Sequence, residues 1–190
     1  MFKGFVVGIL VGVLLLMGGV YYYFSSGMAP VATADPPMPY EKQMANKALN
    51  AHIGKQNIAS SPVPADEPNL VAGAKIYKEQ CSVCHGLPDL PPPAIADSMF
   101  PQATLMFKGK GVSDDPATEN YWKATNGIRL SGMPSFKGIL TDTQLWQVAQ
   151  FVSSTDKLPD SAKKVLVPEP PPTAMSPVSA PAKASSSKPK

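Results

Sequence analysis

Three hydrophobic patterns follow one another along the chain, and the first is an unbroken run. Phe5 to Phe24 reads FVVGILVGVLLLMGGVYYYF, twenty positions without a charge. At about 1.5 Å per residue, a helix of that length covers roughly 30 Å, the hydrocarbon thickness of a bilayer. Lys3 and the amino terminus precede the run, and no basic residue follows until Lys42. The positive-inside rule therefore keeps the N-terminus in the cytoplasm and exports everything beyond Phe24. Tyr21, Tyr22 and Tyr23 fall where an interfacial aromatic belt is expected. Residues 1–24 are read as a retained transmembrane anchor. The alternative is a cleaved signal peptide released at Ala32-Thr33-Ala34, an A-x-A site that lies well past the apolar run.

The second pattern is polar and punctuated by proline. Residues 25–68 read as a linker, with one weakly amphipathic stretch, Tyr40 to Ile53, that places Met44, Ala48 and Leu49 on one side of a possible helix. Pro62, Pro64 and Pro68 mark its end.

The third pattern, over residues 69–158, is the periodicity of short amphipathic helices. Asn69 is a possible cap for a helix to about Gln80, with Leu70, Gly73, Ile76 and Tyr77 on one face. Asp115-Pro116 opens a second helix through Tyr121 and Trp122, which Gly127 suits as a terminator. Leu140-Thr141-Asp142-Thr143-Gln144-Leu145 is the strongest start signal: Thr141 and Gln144 form a capping box, and Leu140 with Leu145 a hydrophobic staple. Leu145, Val148, Ala149 and Val152 then recur at helical spacing. No alternating run is long enough for a sheet, so the expectation is a small all-α domain. From Pro159 onward proline, alanine, serine and lysine dominate, and residues 159–190 read as a disordered tail that cannot bury enough apolar surface to order itself.

Composition sharpens this picture. The chain holds 22 prolines and 14 glycines in 190 residues, so much of it is not packed core. Its net charge of +3 resides in the tail, because residues 1–158 hold twelve basic and twelve acidic side chains. No basic domain exists to hold nucleic acid. Two cysteines three residues apart cannot staple a secreted scaffold.

A domain of about ninety residues with short helices buries little of its own, and something else must complete its core. Cys81-Ser82-Val83-Cys84-His85 supplies the candidate. C-x-x-C-H at a helix end is the attachment pattern for c-type haem: two thiols reach the two vinyl groups of one porphyrin, and the next histidine is held as the proximal ligand. A redox dithiol would also read C-x-x-C, but it calls for a preceding strand. A structural zinc site needs a fourth ligand, and His52 lies outside the domain. With no histidine downstream, a sixth ligand must be methionine. Met133, in Gly132-Met133-Pro134, is the choice, since proline holds it extended in a loop with no helical core to fill. Met99 and Met106 flank Phe100, Leu105 and Phe107, where packing accounts for them. A loop methionine that covers the haem edge without bonding is the alternative for Met133.

These residues resemble the class I c-type cytochromes over about residues 69–155. Gly73 and Tyr77 stand eight and four positions before the first cysteine, where that family packs a small residue and an aromatic against its C-terminal helix. The resemblance implies Leu145 and Trp146 as their partners. It also implies a backbone carbonyl that orients His85, expected from the Pro91-Pro92-Pro93 run or a neighbour. The insertion through residues 94–114 has no counterpart. Trp122 is read either as haem packing or helix core, and Arg129 as a propionate partner or a solvated charge. Lys108, Lys110, Lys123 and Lys137 read as scattered surface charge, with a docking ring at the haem edge as the alternative.

The implied molecule is no enzyme. One covalently attached haem c, with metal ligands His85 and Met133, leaves no open coordination position and exchanges single electrons. The expected setting is the inner membrane, crossed once, with the haem domain periplasmic and redox proteins of a respiratory chain as partners. The alternative is a fixed haem subunit of a larger oxidase or dehydrogenase.

Overall fold

The computed structural model describes residues 2–108 and 115–167. Helix α1 spans Phe2–Ser25 and buries none of its residues. It is the one described helix long and apolar enough to cross a membrane. Helix α2 follows at Glu41–Ile53. The helical body then comprises α3 (Glu67–Ile76), a π-helical turn (Tyr77–Cys81), α4 (Ser82–His85), α5 (Ala94–Asp97), α6 (Ala117–Asn126), α7 (Asp142–Ser153) and α8 (Asp160–Leu166). Among the described residues there is no strand, only an isolated bridge between Lys137 and Leu140.

Helix α7 is the centre of the body because it is apolar on most of its circumference: Leu145, Trp146, Val148, Ala149, Phe151 and Val152 are all buried. Its start is the expected capping box. Thr141 Oγ1 accepts from the Gln144 amide at 3.3 Å, and Gln144 Oε1 accepts from the Thr141 amide at 2.9 Å. The cap of helix α3 lies three residues before the expected one. Asp66, not Asn69, accepts the Asn69 amide at 3.2 Å. Pro68 sits in the first turn, where its missing N–H has no intrahelical partner to lose. Asn69 instead receives the Gln147 side-chain amide at 2.9 Å, which ties α3 to α7.

The two helices cross where a side chain is missing. A Cβ on Gly73 would run into the Gln147 carbonyl oxygen and stand 2.7 Å from Phe151 Cβ. The partners of Gly73 are therefore the Gln147 backbone and Phe151, not Leu145 and Trp146 as the family resemblance implied. Trp146 faces α6 instead, with its ring stacked on Tyr121 at 3.9 Å and 9°. A helix buried on several sides gives successive residues different neighbours, and only the crossing point decides which one meets the glycine.

Two segments read as unstructured are packed. Helix α8 lies within the expected tail: Leu158, Ala162 and Leu166, four residues apart, form one buried face that joins the α3–α7 core. Lys78 Nζ donates to the Val167 carbonyl at 2.9 Å, and Ser161 Oγ to Glu67 at 2.6 Å. The packed body thus extends to Leu166 rather than ending at 158, because three apolar residues at helical spacing suffice when a groove awaits them. Residues 168–190 lie outside the described residues. The second segment is the end of the linker. Ile53 is buried, the His52 ring lies 5.4 Å from that of Trp122, and Gln150 Nε2 donates to the Val63 carbonyl at 3.3 Å. These contacts hold the end of the linker against the body.

The α3–α7 crossing predicts that Gly73→Ala lowers the unfolding free energy by about 1–3 kcal/mol, the usual cost of overpacking a close contact. Urea denaturation followed by far-UV circular dichroism measures it, and a stability equal to that of the unsubstituted chain would contradict the crossing.

Candidate functional site

The site is built outward from Tyr77. Its side chain is fully buried between Phe151 and Phe107, with ring centroids 5.3 and 5.6 Å away. A buried phenol needs a partner, and Tyr77 Oη donates to the Gly86 carbonyl at 2.7 Å. Burial, assisted by the Cys81 thiol nearby, pushes the Tyr77 pKa upward and keeps the donor protonated. One hydrogen bond thus clamps both ends of the segment that holds Cys81, Cys84 and His85.

Within the clamp the helix widens. Tyr77–Cys81 forms the π-helical turn, and Ser82–His85 returns to α-geometry. Ser82 Oγ donates to the Lys78 carbonyl at 2.7 Å and braces the junction. Both cysteines are free thiols and half-buried. Burial first, and the neighbouring Cys84 second, push the Cys81 pKa up to about 12.

His85 is oriented through one ring nitrogen. Its Nδ1–H donates to the Thr104 carbonyl at 2.7 Å, which fixes the tautomer and leaves Nε2 with its lone pair. Burial lowers the pKa of this ring, opposed by the bond to Thr104, and the neutral form is favoured. The orienting carbonyl therefore comes from Thr104, not from Pro91, Pro92 or Pro93. The segment that lacked an assigned place supplies it, since its residues 105–107 return along the motif: the Met106 amide donates to the His85 carbonyl at 3.1 Å. Met106 and Phe107 pack against the main core, as packing alone predicted.

The methionine loop hangs from the end of α6. Gly127 terminates the helix with φ 68°, a left-handed conformation that suits glycine. The Ile128 amide donates to the Met133 carbonyl at 3.2 Å, and the Met133 amide to Ser131 Oγ at 3.2 Å. Beyond it the Phe136 amide donates to the Ala124 carbonyl at 3.0 Å, and Ser135 Oγ to the Thr125 carbonyl at 2.6 Å. The loop is closed at both ends, with Met133 half-buried near its tip.

Of the other candidates, Trp122 lies half-buried against His52. Arg129 is exposed, as are Lys108 and Lys137. Lys123 is neutralised within the body by Asp115 at 2.8 Å and Glu119 at 2.7 Å. Lys110 lies outside the described residues.

The donor set suits a c-type haem: two free thiols three residues apart, then an imidazole with an unprotonated Nε2. Among the described residues, no group of three or more Cys, His, Asp or Glu side chains is placed to hold a metal ion.

Residues 68–152 match the family model described as cytochrome c oxidase, cbb3-type, subunit III. Among curated proteins no relative matches. A solved structure from Kuenenia stuttgartiensis, the reducing HAO-like protein complex Kustc0457/Kustc0458, is similar at 27% identity, with a TM-score of 0.39. That alignment spans 55% of this chain and 53% of the other, about half of each. The motif at Cys81–His85, the all-helical body around it and the family match over 68–152 converge on a domain similar to the c-type cytochromes.

Proposed function

We propose that this chain carries one haem c and works as a membrane-anchored, periplasmic carrier of single electrons between redox proteins of a respiratory chain. The observation that carries the reading is the Nδ1 bond of His85 to Thr104 directly behind the two thiols. It aims the remaining imidazole lone pair as a proximal ligand needs. Cys81 and Cys84 would hold the porphyrin through two thioether bonds at its vinyl groups. His85 Nε2 and the Met133 thioether would bind its iron. The bound haem supplies one-electron exchange at its iron. Thioether ligation favours the ferrous state, and two protein ligands deny the iron to oxygen and peroxide. Tyr77, through Gly86, keeps the motif from moving during that exchange, so little reorganisation accompanies it.

The docked linker favours a second reading, a fixed haem subunit of a larger complex. A carrier on a long spacer samples a wide volume, yet His52, Ile53 and Val63 hold the spacer's end against the body. The family description points the same way, since it is that of an oxidase subunit. Purification in mild detergent separates the two: a carrier elutes alone, and a subunit elutes with its complex.

In a host with a working haem-attachment system, haem-linked peroxidase staining is expected to stay with the polypeptide after denaturing electrophoresis. Cys81→Ser with Cys84→Ser should abolish it, and loss of stain from the unsubstituted chain would end the reading.

Met133→Ala is expected to remove the far-red charge-transfer band of the ferric protein. Its potential should fall by on the order of 100 mV, within the roughly 0.8 V that axial ligands command. Survival of the band there, with loss in Met106→Ala, would identify the wrong methionine.

The chain should remain with membranes through a high-salt wash and leave only in detergent, since residues 1–158 carry no net charge to bind lipid electrostatically. A mature N-terminus at Asp35, with haem in the soluble fraction, would make it a diffusible protein.

A further inference from the structure

Gly132 poses a question that its own backbone does not answer. The described glycines with left-handed φ are Gly27, Gly86, Gly127 and Gly138, so conformation does not demand a glycine at 132. Its surroundings bear on it through one neighbour. A Cβ there would run into Met99 Cε, with Met99 Sδ at 3.4 Å and Cγ at 3.7 Å. The Met99 side chain, half-buried, occupies the space of the missing side chain directly beside Met133.

We infer that Met99 is a positioning residue for the sixth ligand: by filling the notch at Gly132 it braces the backbone that carries Met133. The inference rests on the reading of Met133 as that ligand. Hydrogen bonds close the loop toward α6, through Ile128, Ser135 and Phe136. Leu130, by contrast, is 91% exposed and packs on little. Met99 provides an apolar contact on the tip itself. It stands just beyond α5, where the Met99 amide donates to the Ala96 carbonyl at 3.4 Å. Five residues later the same segment supplies the Thr104 carbonyl to His85. One stretch of chain, residues 94–107, thus supports both axial ligands, the proximal by a hydrogen bond and the distal by packing. Methionine suits the distal task because its unbranched thioether can follow an irregular notch.

The test is imidazole binding to the ferric, haem-loaded, full-length protein, since imidazole enters only when the thioether leaves the iron. Met99→Ala empties the notch and lets the loop relax into the space. Imidazole is then expected to bind on the order of tenfold more tightly, a change of about 1.4 kcal/mol, while the far-red band persists without imidazole. Met99→Leu, which keeps most of the volume, should bind within about twofold of the unsubstituted protein. Gly132→Ala should follow Met99→Ala, because its methyl group evicts Met99.

Unchanged imidazole affinity in Met99→Ala would overturn the inference, even if the urea midpoint fell, since a purely structural side chain lowers stability alone. Equal effects of the Leu and Ala replacements would overturn it too, because the thioether rather than its bulk would then be acting. Loss of the far-red band in Met99→Ala with its survival in Met133→Ala would make Met99 the ligand, and the reading of Met133 itself would fall.

Discussion

The fold depends on a contact between two backbones. At Gly73 helix α3 lies so close to α7 that the Gln147 carbonyl and Phe151 Cβ occupy the room of a side chain. That approach lets Tyr77, one turn later, reach between Phe107 and Phe151, and its hydroxyl reach Gly86. It also brings Asn69 to Gln147 and shapes the groove that α8 fills with Ala162 and Leu166. A larger residue at 73 would move α3 as a rigid body, and with it the thiols, the imidazole and the docked helix.

Around that crossing, the site is assembled from parts with different mechanical character. The cysteines and His85 sit on helical backbone that Tyr77 closes at both ends, which makes them the rigid half. Met133 sits on a loop closed by hydrogen bonds at its base and by packing at its tip, a construction that yields more readily. Under the proposed ligation, a metal would take one ligand from each half.

The charge distribution follows the same economy. Lys123 is spent on Asp115 and Glu119, and Asp115 also accepts from Asn120 and Ser153 through its carbonyl, so that cluster ties the start of α6 to α7. Each group there serves packing. Exposed cations such as Lys108 and Lys137 lie on a body whose basic and acidic side chains balance.

The sequence by itself determined what local chemistry determines. The apolar run of α1, the capping box at Thr141, the glycine stop at Gly127 and the order of the helices follow from periodicity and capping, which act over one turn. The candidate attachment motif was equally legible, since Cys81, Cys84 and His85 are adjacent in the chain. The tertiary structure decided every question about which distant group faces which. Gly73 meets Gln147 and Phe151 rather than Leu145 and Trp146. His85 turns to Thr104 rather than to the prolines that follow it, and Met99 comes to rest on Gly132. Helix α8 was hidden in a proline- and lysine-rich stretch because three apolar residues are too weak a signal alone. They form a helix because α3 and α7 present a groove to bury them. A pattern in sequence records a residue's own preference, whereas a contact also requires the partner's position, and that position exists only once the chain has folded.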